Sequence, residues 1–123
     1  MTAEPALAAD PREKLRYDAA CAAVLAGCGR GSGIAELSDA ERARLRRQAL
    51  DWLRADLTAW GRLLEKTPAQ VRPLARQRMQ HWQGDPDFHG VRGEELAKLP
   101  EAERRTWQQL WKDVEQMLKR VKP

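Results

Sequence analysis

Between Ser38 and Lys66 the apolar positions recur every three or four residues. Leu50, Leu53, Leu57, Trp60 and Leu64 form one heptad stripe, and Leu45, Ala49, Trp52, Ala59 and Leu63 form a second beside it. Together the stripes cover roughly 160° of a helix, against the ~100° that suffices to face one core. A helix wetted on so little of its girth needs neighbours on two sides, so this one is predicted to be central. Ser38 with Glu41 three residues on is a capping-box start, and Thr67-Pro68 is a stop. The predicted helix spans 39–66 and is roughly 42 Å long at ~1.5 Å per residue.

The remaining face carries Arg44, Arg47, Asp51, Arg54, Thr58, Arg62 and Glu65, with signs interleaved as on a solvated surface. Two charges interrupt the apolar arc. Arg46 is tolerable there if the first two turns project beyond the core. Asp56, flanked by Trp52, Leu53 and Trp60, is predicted to be hydrogen-bonded to a Tyr, a Trp or a basic side chain of another helix.

The same reading supplies the neighbours. Asp10-Pro11-Arg12-Glu13 combines an N-cap, a proline at the first helical position and a capping-box acid. It predicts a helix over 11–26 that stops at Gly27 or Gly29. Tyr17, Ala20, Cys21, Val24 and Cys28 share one face, and alanines at most other positions permit close approach of neighbouring backbones. Thr67-Pro68-Ala69-Gln70 repeats the cap signature, and Val71, Ala75, Met79 and Trp82 form a stripe over 68–83. Pro73 falls inside that helix, which is predicted to start early and bend slightly.

Beyond it, Asp85-Pro86 and Gly90 bracket a short helical turn near 86–89, with Phe88 and Val91 plugging the core. A second turn near 94–98 contributes Leu96, with Leu99 just beyond it. A last helix over 100–121 places Trp107, Leu110, Trp111, Val114, Met117, Leu118 and Val121 on an arc of only ~120°, so it is predicted to be an outer helix against the central one. The sum is an all-α bundle of four main helices. It forms one domain over 10–123, behind a tail or helix stump at residues 1–9.

Composition supports that picture. The 123 residues are 42% hydrophobic and one-third charged, which fits a globular chain, and the five tryptophans supply much of the apolar area. No apolar run is long enough to span a bilayer and no signal peptide is evident, so a cytoplasmic protein without a membrane partner is expected. Cys21 and Cys28 would lie ~10 Å apart along one helix, beyond the ~7 Å limit for a disulfide. They read as small buried apolar residues of a reducing compartment.

Candidate chemistry is sparse. The glycine-rich stretch Gly29-Arg30-Gly31-Ser32-Gly33 lacks the preceding strand and following Lys-Ser/Thr of a phosphate loop. Cys21, Cys28, His81 and His89 do not fall in zinc-ligand spacing, and His81 reads as a partly buried histidine near Leu74 and Arg78. Asp85 and Asp87 lack the rest of a calcium-loop pattern. No catalytic, cofactor-binding or metal-ligating residue is therefore assigned. The net charge of +4 is a mild excess. The groups Arg42, Arg44, Arg46, Arg47 and Arg72, Arg76, Arg78 would suit phosphate if they converged in space, so a basic helical nucleic-acid binder is the alternative reading.

The stretch from Tyr17 to Gly27, YDAACAAVLAG, resembles the first helix of a tetratricopeptide repeat (TPR), and Gln48 to Leu57, QALDWLRADL, looks like the second. The connection departs from the pattern, since Cys28 to Arg47 intervene where a standard repeat has a tight turn. Trp82 to Arg92, WQGDPDFHGVR, is similar to a segment that follows the terminal repeat in many TPR proteins. As a whole, Tyr17 to Leu118 resembles the C-terminal region of large bacterial multidomain proteins in which TPR arrays often follow a serine/threonine protein kinase domain.

The resemblance implies a non-enzymatic, superhelical end piece that contacts a protein or peptide, or caps upstream repeats of a longer chain. No kinase signature lies in these residues, so kinase activity would belong to a parent chain. Positions matching the concave wall of a repeat are Asp18, Ala22 and Leu25, and Arg44 and Arg47 join them as candidate partner-binding residues. Tyr17, Cys21, Trp52, Leu53, Asp56, Leu57, Trp60 and Leu64 are the expected core of the first two helices. Met79, Trp82, Phe88, Trp107, Leu110, Trp111 and Val114 complete it. Partner identity and oligomeric state are left open.

Overall fold

The longest element is the predicted central helix, here α2, which spans Asp39–Lys66. A computed structural model of the chain describes residues 11–29 and 37–121, with side chains from Leu15 onward. The tail over 1–9, the cap at Asp10 and the glycine-rich connector beyond Gly29 lie outside the described residues. Around α2 stand α1 (Pro11–Gly27), α3 (Pro68–Gly84) and α4 (Glu101–Arg120), with two 3-10 turns at Pro86–Val91 and Gly93–Lys98 between the last two helices. Among the described residues there is no strand, and the fold is all-α. Helix α2 touches α1, α3 and α4, as its two apolar stripes require. Helix α4 also lies along α3, so it closes the bundle over both helices rather than over α2 alone.

Local signals placed most boundaries. Ser38 Oγ accepts the Glu41 amide at 3.1 Å and Glu41 Oε1 accepts the Ser38 amide at 3.0 Å, completing the capping box. Helix α1 ends at Gly27, and Gly29 takes a left-handed turn at φ +78° that favours glycine. Helix α3 does start at Pro68 with Pro73 inside. The carbonyl that loses its donor there belongs to the exposed Ala69, where water can replace the bond.

The second capping box does not form. Thr67 also closes α2, and its hydroxyl donates back to the Leu63 carbonyl at 3.3 Å instead of capping α3. The 3-10 turn at Pro86–Val91 runs through Gly90 and is capped by Asp85, whose Oδ1 accepts the Asp87 amide at 2.9 Å.

The core is continuous through all four helices. Trp60, Trp82, Trp107, Phe88, Leu53 and Met79 are its largest buried side chains. Leu57, Leu64, Leu110, Val114 and Cys21 are buried with them. Tyr17, Trp52 and Trp111 are only half-buried, a correction to their expected core placement. For two of them a polar end explains it: Tyr17 reaches Asp85, and the Trp111 indole donates to the Val91 carbonyl at 2.9 Å, so both rings sit at the rim.

Among the described residues, three charged side chains are buried: Arg46, Asp56 and Asp85. Asp56 has the predicted basic partner, with Arg16 Nε donating to its Oδ1 at 2.9 Å. Arg46 corrects the expectation that the first turns of α2 project beyond the core. Its Nε and Nη2 grip both carboxylate oxygens of Glu103 on α4, and its Nη1 donates to the carbonyl of Gly27. That carbonyl is one of the orphan acceptors at the end of α1, so the guanidinium serves as a C-cap supplied from another helix.

Candidate functional site

Asp85 gathers polar side chains from two helices. It stands where α3 gives way to the Pro86–Val91 turn, and capping that turn holds its backbone in place. Tyr17 on α1 donates its hydroxyl to Asp85 Oδ2 at 2.6 Å, and the Cys21 thiol, one helical turn on, donates to the same oxygen at 3.7 Å. His81, one turn before Asp85 on α3, puts Nε2 3.4 Å from that oxygen and its ring centroid 5.4 Å from that of Tyr17. Arg92 braces the backbone here, donating to the carbonyls of Trp82 and Asp85 at 3.1 Å each.

The electrostatics of the cluster follow from burial and crowding. Burial pushes the Asp85 carboxyl up. The Tyr17 hydroxyl, the Asp87 amide, the His81 charge and the Cys21 thiol together outweigh that and hold it below the usual carboxylate range. Burial, then the charges of Asp85 and Asp87, push the Cys21 thiol up to about 12. Burial, followed by the bond to Asp85, pushes the Tyr17 phenol far above its ordinary value. Both therefore keep their protons at neutral pH, so neither is an activated nucleophile.

Two sequence expectations change here. His81 is 62% exposed rather than partly buried, because only the Tyr17 ring leans on it. Cys21 is buried but hydrogen-bonded, and Cys28 is only half-buried, its side chain lying against Gly90. Neither cysteine is in a disulfide. Sequence spacing missed the meeting of Cys21 with Asp85 and Asp87, whose ligand atoms all lie within 4.8 Å of one another. Cys21 and Asp85 are 64 positions apart, and the only signal in the chain was the shared core face of Tyr17 and Cys21.

Members of the two arginine groups are engaged separately. Arg46 is enclosed by Glu103 and Gly27, Arg47 pairs with Asp51 at 3.2 Å, and Arg76 donates to the Val121 carbonyl at 3.3 Å. Helices α2 and α3 turn back on each other at Thr67. At ~1.5 Å per residue, Arg47 stands roughly 28 Å from that turn and Arg76 roughly 13 Å, which keeps the groups at different levels. A cavity of about 580 Å³ beside Cys28 mixes Arg42, Arg46 and Lys98 with Asp39 and Glu95, so its walls carry both signs.

Helix α1 presents a different kind of surface. Asp18 and Ala22 are exposed and Leu25 is half-buried. Leu15, at 66% exposure, continues the same heptad stripe one turn earlier. Ala19 and Ala26 flank the stripe and are half-buried. Leu15 was absent from the sequence expectation, though extending the spacing of Asp18, Ala22 and Leu25 backwards reaches it. Arg44 and Arg47 are exposed on the polar face of α2.

No protein-family model, curated protein or solved structure matches this chain. No helix among the described residues is long and apolar enough to cross a membrane.

Proposed function

We propose that this chain is a non-enzymatic helical module that binds another protein through α1, in the manner of a TPR-like end unit stacked on a neighbouring helical repeat. The observation that carries the reading is the outward stripe Leu15–Asp18–Ala22–Leu25 on a helix whose opposite face is buried in the core. Alanines at 19, 22 and 26 keep that surface flat enough for a second helix to approach closely. Leu15 gives it an apolar anchor. In a repeat array each unit leaves such a face for the next, and a terminal unit shows a charged exterior elsewhere, as α4 does with Arg105, Lys112, Lys119 and Arg120.

The occupant in this reading is a further two-helix repeat, supplied by an upstream part of a longer kinase-associated chain or by a second copy. A reducing, cytoplasmic setting goes with it, given two cysteines that form no disulfide. The assay is sedimentation of the whole chain with itself and with captured helical peptides, at low and high salt, for the unaltered protein and for L15E and A22R. Salt-insensitive association lost in both variants is the expected result. Binding to generic DNA that fades with salt, ignores L15E and needs Arg44 and Arg47 would replace this reading with the nucleic-acid one.

A further inference from the structure

Two carboxylates and a thiol meet at the junction of α1, α3 and the Pro86–Val91 turn, their donor atoms within 4.8 Å of one another. His81 Nε2 faces Asp85 from α3. The nearby Arg92 spends its guanidinium on two backbone carbonyls and on the Trp111 ring, 5.8 Å away. Asp85 and Cys21 are buried and Asp87 is half-buried, so solvent screens the two carboxylates from each other poorly. Crowded acceptors of this kind are relieved either by retained protons or by a cation.

The geometry points to a binding site for a divalent cation of the zinc class, held by Cys21 Sγ and the carboxylates of Asp85 and Asp87, with the exposed His81 turning in as the fourth donor. Bond lengths of ~2.3 Å to sulfur and ~2.0 Å to nitrogen or oxygen give tetrahedral edges of roughly 3.3–3.5 Å between donors. The Cys21 Sγ to Asp85 Oδ2 distance is 3.7 Å and the His81 Nε2 to Asp85 Oδ2 distance is 3.4 Å. The Cys21, Asp85 and Asp87 donors lie within 4.8 Å of one another, so an ion would draw them inward and take His81 by a turn of its exposed ring.

The mix of one thiolate, one imidazole and carboxylates suits zinc better than calcium or magnesium, which take oxygen alone. Tyr17 would keep its bond to Asp85 and orient that ligand from the second layer. Exposed His81 leaves an entry path from solvent. Binding converts the Cys21 S–H to a metal-bound thiolate and releases one proton to solvent, with no change of oxidation state. This inference stands apart from the docking face on α1.

The test uses the whole chain, stripped with a chelator and then titrated with Zn²⁺ and, separately, with Co²⁺. One ion per chain is expected. Co²⁺ should show a thiolate-to-cobalt charge-transfer band together with intense tetrahedral ligand-field bands. C21S should lose the charge-transfer band and the released proton, while C28S keeps both. D87N, which leaves the Tyr17–Asp85 bond intact, should weaken Zn²⁺ by roughly tenfold or more, and Y17F by roughly 10–100-fold. Absence of stoichiometric binding overturns the site, as does a thiolate band that survives C21S or vanishes in C28S. If C21S fails to fold, Zn²⁺ affinity unchanged in folded D87N overturns it instead.

Discussion

Arg16 Nε lies 2.9 Å from Asp56 Oδ1 and so ties α1 to the middle of α2. The two ends of the pair are unequal, with 31% of the Arg16 side chain exposed against 3% of Asp56. Removing the arginine leaves the carboxylate where water can hardly reach it. R16L is therefore expected to cost about 1.5–3 kcal/mol, the range for a hydrogen bond to a charged group. The double variant R16L/D56L should cost less than the two single changes summed, because the two side chains are in direct contact and their effects are coupled. Urea denaturation of the four proteins closes the cycle.

How far the sequence disclosed this pair shows where such reading stops. The heptad phase of α2 put Asp56 inside and demanded a partner from another helix, and both are observed. The phase could not pick Arg16, which lies on a separate helix whose register against α2 depends on tertiary packing. Ser38 and Glu41 were legible because a capping box closes within one turn. Arg46 was misread for the opposite reason, since Gly27 and Glu103 reach it from distant segments and only their convergence makes the site hospitable. The Asp85 cluster was invisible in the same way. Its acids looked like an incomplete cation loop, while Tyr17 and Cys21 looked like core. On α1, Asp18, Ala22 and Leu25 came from the resemblance alone, as positions matching the concave wall of a repeat, and Leu15, one turn earlier, was missed.

Acid should unfold the protein partly through Asp85. Its carboxyl is held below the ordinary value in the folded state, so the unfolded chain binds a proton first as pH falls. The stabilisation is complete above the unfolded value of ~3.9 and is lost as pH drops through the lower folded value. With chelator present throughout, the wild-type chain should show a falling thermal midpoint from about pH 4 downward. Y17F, which lacks the 2.6 Å donor to Asp85, should start less stable and show a shallower fall. Parallel slopes for the two proteins would show that Tyr17 does not set the Asp85 proton affinity.

Arg46 offers a sharper contrast between charge and geometry. R46K keeps the charge but loses the planar fork that grips both Glu103 oxygens and reaches the Gly27 carbonyl together. R46M removes the charge and strands Glu103, which is mostly enclosed by the bundle. Breaking such a pair costs about 3–5 kcal/mol when both ends are buried, and the partial exposure here puts R46M near the lower bound. R46K should fall between it and the wild type. R46M/E103L should recover part of the loss, since apolar partners of similar length restore packing without an uncompensated charge. Chemical denaturation midpoints rank the four chains, and a lysine variant as stable as wild type would rule out the fork.

Two helix-terminal glycines should respond to alanine with opposite signs. At Gly84, the last residue of α3, an added Cβ meets nothing within 4 Å. The change trims unfolded-state freedom, so G84A should stabilise by about 0.4–1 kcal/mol. At Gly27, the last residue of α1, the same methyl would lie 2.5 Å from Arg46 Cγ and 2.9 Å from the Arg42 carbonyl oxygen. The side chain is the one bound to Glu103 and the oxygen belongs to the backbone of α2, so neither yields cheaply. Overpacking of this kind costs about 1–3 kcal/mol and outweighs the ~1 kcal/mol that alanine gains in helix propensity. Thermal melts should therefore move up for G84A and down for G27A. A G27A chain as stable as wild type would mean that the α1 terminus and α2 stand farther apart than the Arg46 clasp requires.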